Sequence, residues 1–67
     1  MEISARNQLK GTVKDVKLGS VMAEVTVDIG GQEVVSAITR GSVERLGLQP
    51  GDAVTVIIKS TEVMLGK

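Results

Sequence analysis

Apolar and polar residues alternate along most of the chain. In SVMAEVTVDI, Val21, Ala23, Val25, Val27 and Ile29 share one face, while Met22, Glu24, Thr26 and Asp28 take the other. A repeat of two predicts a half-buried β-strand. Gly30-Gly31 follows, and two residues that accept positive φ suit a two-residue hairpin turn. The returning strand QEVVSAIT is less polarised: Val34, Ser36 and Ile38 fall on one face, Val35, Ala37 and Thr39 on the other, so cover is expected on both sides. Upstream, a strand from Asn7 to Lys17 changes phase. Leu9, Gly11 and Val13 share a parity that Val16 and Leu18 do not, which places a β-bulge near Lys14-Asp15.

GSVERLGLQPGD breaks the alternation. Ser42 is expected to cap a short helix, with Glu44 in its first turn and Gly47 at its end. Pro50-Gly51 fits the centre of a type II turn. AVTVIIKS is the fourth strand, with Val54, Val56 and Ile58 facing inward, and EVMLG is expected to form a short fifth. Five strands with one short helix between the third and fourth give an all-β fold class, an OB-like five-stranded Greek-key barrel, in a single domain over residues 1–67.

Composition narrows the chemistry. The 67 residues contain no Cys, His, Phe, Tyr or Trp. A core of this size rarely supplies more than about 3–5 kcal/mol without a staple. Disulfides and the usual zinc sites are excluded, which leaves oligomerisation as the expected support. Without His, Cys or Tyr the common nucleophile–base pairs cannot be assembled, so no catalytic residues are assigned and an enzyme is not expected. Eight acidic and eight basic side chains balance to zero, with no basic stripe for nucleic-acid phosphates. Single-stranded nucleic acid, the common ligand of OB barrels, is held largely by stacking on aromatic side chains, and there are none here. No apolar run approaches the ~20 residues that span a bilayer, and no leader pattern opens the chain, so a cytoplasmic protein is expected.

Two donor-rich segments remain near the chain ends: Ser4-Ala5-Arg6-Asn7-Gln8, and Lys59-Ser60-Thr61 at the end of the fourth strand. A deprotonated tetrahedral oxyanion offers only acceptors, so hydroxyls, amides, backbone N–H groups and cations without a competing carboxylate suit it. Glu62 is next to KST, but strand alternation would turn it away. A third candidate, Arg40-Gly41-Ser42, offers N–H groups at a helix start. A polar arm, a strand-ending lysine and a simple helix cap account for the same residues, and spacing alone favours these ordinary readings.

SARNQLKG at 4–11, AEV at 23–25 and KSTEVML at 59–65 together resemble the molbindins, small cytoplasmic TOBE-class proteins that bind molybdate and tungstate. The resemblance runs along essentially the whole chain. It implies an OB-like barrel assembled as a hexamer, a trimer of dimers, with oxyanion sites between subunits. It assigns the principal site to Ser4, Ala5, Arg6, Lys59 and Ser60, with backbone near Ser20 contributed by a neighbouring subunit. A second site near a symmetry axis would draw on Gly41 and Ser42. The implied role is storage or buffering of molybdate or tungstate, with no cofactor, no resident metal, and neither nucleic acid nor membrane as partner. The competing reading is a small dimeric β-barrel DNA-binding regulator of the swapped-hairpin type, in which LGLQPGDAV also occurs. A third is an oligomerisation module like the ligand-sensing domain of a larger transporter or regulator.

Overall fold

The computed structural model describes all 67 residues. In chain order the elements are β1 (Asn7–Leu18), β2 (Met22–Asp28), β3 (Glu33–Thr39), α1 (Arg40–Leu46) and β4 (Ala53–Ile58), followed by a single 3₁₀ turn at Ser60–Glu62. The strands form one curled antiparallel sheet in the order β3-β2-β1-β4.

β1 is the strand on which the fold turns. Its first half pairs with β4, from Asn7 opposite Ile58 to Thr12 opposite Ala53. Its second half pairs with β2, from Thr12 opposite Asp28 to Leu18 opposite Ala23. Thr12 is the one residue shared by both ladders. Immediately after it the register slips between Val13 and Asp15, leaving Lys14 as the extra residue. The parity change in the sequence is therefore a bulge. It lets Val13 and Val16 both face inward, and the added bend carries the strand from one sheet partner to the other. Gly11 sits at the crossing because nothing larger fits there. A Cβ on it would lie 2.6 Å from Val27 Cγ1 and 2.7 Å from the Asp28 carbonyl oxygen.

The hairpin between β2 and β3 closes as expected. Gly30 and Gly31 both hold positive φ, 94° and 93°, the region other residues avoid. The Asp28 carboxylate fixes the turn by accepting the Gly31 N–H at 2.9 Å and the Gly30 N–H at 3.0 Å. Those two N–H groups, Gly31 first, hold the Asp28 carboxyl below its ordinary value. Because the folded form binds its proton more weakly, the turn gains stability above the ordinary value of 3.8 and loses it as pH falls through the lowered one. In an NMR titration the Asp28 carboxyl should have its midpoint below 3.8. A midpoint at or above that value would show that the two N–H contacts do not hold in solution.

The core is thin. Val13, Ala23, Val25, Val27 and Val43 are the only buried side chains among 67. Val16, Ile29, Ile38, Leu48, Val54 and Val56 pack partly against them. Val43 is the contribution of α1. The Leu48 N–H donates to the Val43 carbonyl at 3.1 Å, and the Pro50-Gly51 turn is stitched to β1 by Gly51 N–H to the Val13 carbonyl at 2.8 Å.

Four expectations are corrected. First, there are four strands, not five. The chain leaves the sheet after Ile58 into the 3₁₀ turn, where Glu62 N–H reaches back to the Lys59 carbonyl at 2.9 Å. That diverts EVMLG from the sheet edge, and Met64 and Leu65 are left 92% and 95% exposed. Second, the barrel is not closed, since β3 and β4 are the two edges of the sheet. An apolar groove of about 610 Å³ runs between them over Val25, Val27, Ile38, Val54 and Val56. Third, Val21 lies in an exposed turn rather than in the core; the second face of β3, with Val35 60% exposed, is covered by no element of the same chain. Fourth, the helix begins two residues before Ser42. Thr39, still extended at φ −70° and ψ 148°, is the cap, and its hydroxyl accepts the Ser42 N–H at 3.1 Å. Glu44 thereby falls in the second turn, where its carboxylate accepts from Arg40 Nε at 3.2 Å.

Candidate functional site

The N-terminal SAR segment leads directly into β1, and KS directly follows β4. These strands are antiparallel with Asn7 opposite Ile58. Arg6 immediately precedes Asn7 and Lys59 immediately follows Ile58, so the two cations flank the last pair of this ladder, with Ala5 and Ser60 one residue further from it. Sequence positions more than fifty residues apart are thus neighbours at one end of the β1–β4 ribbon. The Gln8 amide donates to the Ala5 carbonyl at 2.7 Å and holds the SAR segment in a turn ahead of the strand.

The electrostatics of this end favour an anion. Arg6 and Lys59 are exposed and take part in neither of the two ion pairs, Lys14–Glu33 and Arg40–Glu44. Neither side chain makes a hydrogen bond within the chain, and the Ser4 and Ser60 hydroxyls are also uncommitted. Strand alternation does not govern Glu62, because Ser60–Glu62 is a 3₁₀ turn, yet its carboxylate pairs with no cation. A ligand therefore need not displace an internal carboxylate.

The remaining candidates lie elsewhere. Ser20 is in the exposed turn between β1 and β2, at the far end of β1 from Arg6. A strand advances about 3.3 Å per residue, so the 12 residues of β1 set the two far beyond hydrogen-bond reach of a common ligand, even with the bend. Gly41 and Ser42 sit in the first turn of α1, beside the Ser20 turn, since Arg40 N–H donates to the Val21 carbonyl at 2.8 Å. The Ser42 N–H and hydroxyl are both engaged with the Thr39 hydroxyl, at 3.1 and 2.8 Å, which leaves Gly41 N–H as the uncommitted donor of that pair. One chain thus carries the named residues in two regions: Ser4, Ala5, Arg6, Lys59 and Ser60 in the segments flanking the Asn7–Ile58 pair, and Ser20, Gly41 and Ser42 at the β1–β2 turn and the start of α1.

None of these residues lines the apolar groove. A shallow hollow over Lys10, Gly11, Thr12, Asp28 and Gly30 also excludes them. No group of three or more His, Cys, Asp or Glu could hold a metal ion, and no helix is long and apolar enough to cross a membrane. Two roles were missed in the sequence, though Arg40 was itself named there. Thr39 caps α1, for which the spacing of Thr39 and Ser42 was the available signal. Arg40 donates from Nη1 to the Gly19 carbonyl at 3.3 Å, a contact across 21 positions with no local signature.

The comparisons with known proteins agree with one another. The family model described as TOBE domain matches residues 3–65. Molybdenum-pterin-binding protein 3 of Clostridium pasteurianum is 54% identical over 66 residues, 97% of each chain. A molybdate binding protein from Sporomusa ovata superposes with a TM-score of 0.95 at 49% identity, over the whole of both chains. The cytoplasmic molybdate-binding protein ModG, in a form with molybdate bound, superposes at 0.85 with 46% identity, over 90% of this chain and 43% of that one. The chain belongs to the TOBE domain family and, within it, to the molbindins that SARNQ and KST resemble.

Proposed function

We propose that this protein binds molybdate or tungstate without covalent chemistry, at sites shared between subunits, and so stores or buffers the anion in the cytoplasm. The observation that carries the reading is the pairing of Asn7 with Ile58, which brings the segments bearing Arg6 and Lys59, neither of them in an ion pair, to one end of the β1–β4 ribbon together with the donors of Ser4, Ala5 and Ser60. Two cations free of ion pairs, with hydroxyl and backbone donors beside them, favour a dianion rich in acceptors over a neutral or cationic ligand. Curated relatives carry molybdenum-pterin in their names, while the solved neighbours are molybdate-binding. The side chains here favour the oxyanion. A pterin ring needs a flat surface to stack on, and the chain has no aromatic residue. Binding asks nothing of an acid–base pair, so the reading is of a binding protein and not of an enzyme.

Sharing between subunits follows from the separation of Ser20 from Arg6. If Ser20 contributes its backbone, it does so from another copy. The thin core and the exposed Val35, Ile57, Met64 and Leu65 also favour association, since each leaves apolar surface for a neighbour to cover. We assign a hexamer, a trimer of dimers, with Gly41 and Ser42 at a second oxyanion site near a symmetry axis, where Gly41 N–H is the free backbone donor. Tungstate matches molybdate in charge and shape. Sulfate shares both but is smaller, so donors set for the larger ion cannot all close on it. The DNA-binding alternative gains no support. Lys14 and Arg40 are already paired with acids, and what remains is not a basic face.

Native mass spectrometry with molybdate, and with sulfate as control, tests the proposal. A hexamer that gains discrete molybdate masses and no comparable sulfate is the expected result. A monomer or dimer indifferent to both anions would remove the function and the shared site together.

A further inference from the structure

The turn joining β1 to β2 is held from three directions. Gly19 N–H donates to the Met22 carbonyl at 2.7 Å, and Arg40 N–H donates to the Val21 carbonyl at 2.8 Å. The Arg40 guanidinium donates from Nη1 to the Gly19 carbonyl at 3.3 Å while its Nε holds Glu44 at 3.2 Å. The turn is also tight, because a Cβ on Gly19 would lie 2.8 Å from the Met22 carbonyl oxygen. In the middle, the Ser20 N–H donates to nothing in the chain.

The Gly19 carbonyl and the Ser20 N–H belong to one peptide unit. That unit is planar and trans, so the two dipoles point in opposite directions. Drawing the carbonyl toward Arg40 therefore aims the N–H away from Arg40 and out of the molecule. With the guanidinium gone, this exposed turn keeps its other two bonds but loses the one that sets the rotation of that peptide plane.

We propose that Arg40 is a positioning residue for the oxyanion site: by holding the Gly19 carbonyl, it aims the Ser20 N–H of one subunit at the anion held by Arg6 and Lys59 of another. This rests on the proposed function. Glu44 supports it by fixing the guanidinium from the next turn of α1, so the peptide orientation is set by an i,i+4 pair on a helix that does not itself touch the principal site.

The test is molybdate titration of the assembled protein, read by calorimetry and by the Ser20 amide in ¹⁵N–¹H NMR, for wild type, Arg6→Ala, Arg40→Gln, Arg40→Lys and Glu44→Gln. In wild type the Ser20 amide should shift on binding. Arg40→Gln should weaken binding about 3–10-fold, the worth of one misaimed hydrogen bond, and suppress the Ser20 shift. Arg40→Lys should restore part of both, and Glu44→Gln should reduce the shift with the charge of Arg40 intact. If Arg40→Gln does not assemble, the other two variants carry the same readout. Wild type that binds molybdate with no Ser20 response would overturn the positioning role and leave the function standing. So would an Arg40→Gln protein with unchanged affinity and shift, or a loss fully restored by Lys while the Ser20 response never changed, which is a bulk charge effect. Wild type that fails to bind molybdate, with Arg6→Ala indistinguishable from it, overturns the function and this inference with it.

Discussion

Arg6→Ala and Lys59→Ala should each weaken molybdate binding by about 10–150-fold while leaving the oligomer intact. Each substitution removes a cation whose hydrogen bonds to a dianion are charge-assisted, worth about 1.5–3 kcal/mol apiece, and each 1.4 kcal/mol is a factor of ten in affinity. The effect should fall on binding and not on folding. Both side chains are exposed, and neither makes an ion pair or a hydrogen bond within the chain. Because the two flank the Asn7–Ile58 pair and, on the proposed reading, face a single ligand, their losses should not add. The double variant should be less impaired than the product of the singles, since neighbouring contacts to one group are coupled. Lys14→Ala is the control: it removes the same unit of charge from an ion-paired position near the bulge. Calorimetry with molybdate reads all four proteins, and native mass spectrometry confirms assembly. Wild-type affinity in both single variants would show that the unpaired cations at the end of the ribbon are not the site. A loss in Lys14→Ala as large as theirs would point instead to a general charge effect.

The parts of the fold that were legible in the sequence are those set by neighbours a few residues apart. Alternation in β2 named Ala23, Val25 and Val27 as core, and they are 2–4% exposed. The parity change between Val13 and Val16 located the bulge, because a side chain's face counts residues along its own strand. Gly30-Gly31 and Pro50-Gly51 marked their turns for equally local reasons. Reading failed where one residue served two elements or the partner was remote. Thr39 completes the β3 ladder opposite Met22 and also caps α1, so its strand role concealed its helix role. EVMLG has the composition of a strand, but a strand needs an edge to pair with, and the 3₁₀ turn carries this segment away from both edges of its own sheet. The donors of the candidate site were recognisable from their chemistry. Their division into a group at the β1–β4 end and a group beside α1 was not, because only the pairing of β1 with two different partners creates it.

Gly11→Ala should destabilise the protein more than any comparable change of one methyl group. The added carbon would meet Val27 Cγ1 at 2.6 Å, the Asp28 carbonyl oxygen at 2.7 Å and Ile29 Cγ2 at 3.1 Å. Valine and isoleucine side chains can rotate, though each packs in or against the core. The carbonyl oxygen is backbone and can move only if the end of β2 moves with it. Overpacking of this kind costs about 1–3 kcal/mol. In a domain of this size each kcal/mol lowers Tm by about 4–8 °C, so a fall on the order of 10 °C is expected. Two effects oppose it, the smaller entropy of the alanine chain when unfolded and the better strand propensity of alanine, but each contributes under about 1 kcal/mol. The clash wins. Gly66→Ala is the matched control, because nothing lies within 4 Å of the added carbon there, and its Tm should not change. The damage should be confined to the β1–β2 side. The principal donors ride on the β1–β4 ribbon, where Gly11 faces Val54 with no conflict, so molybdate affinity of the folded protein at low temperature should change far less than in Arg6→Ala. Thermal unfolding that is identical in Gly11→Ala and Gly66→Ala would mean that β1 does not approach β2 this closely in solution, and the close crossing of β1 over the end of β2 at Gly11 would not hold.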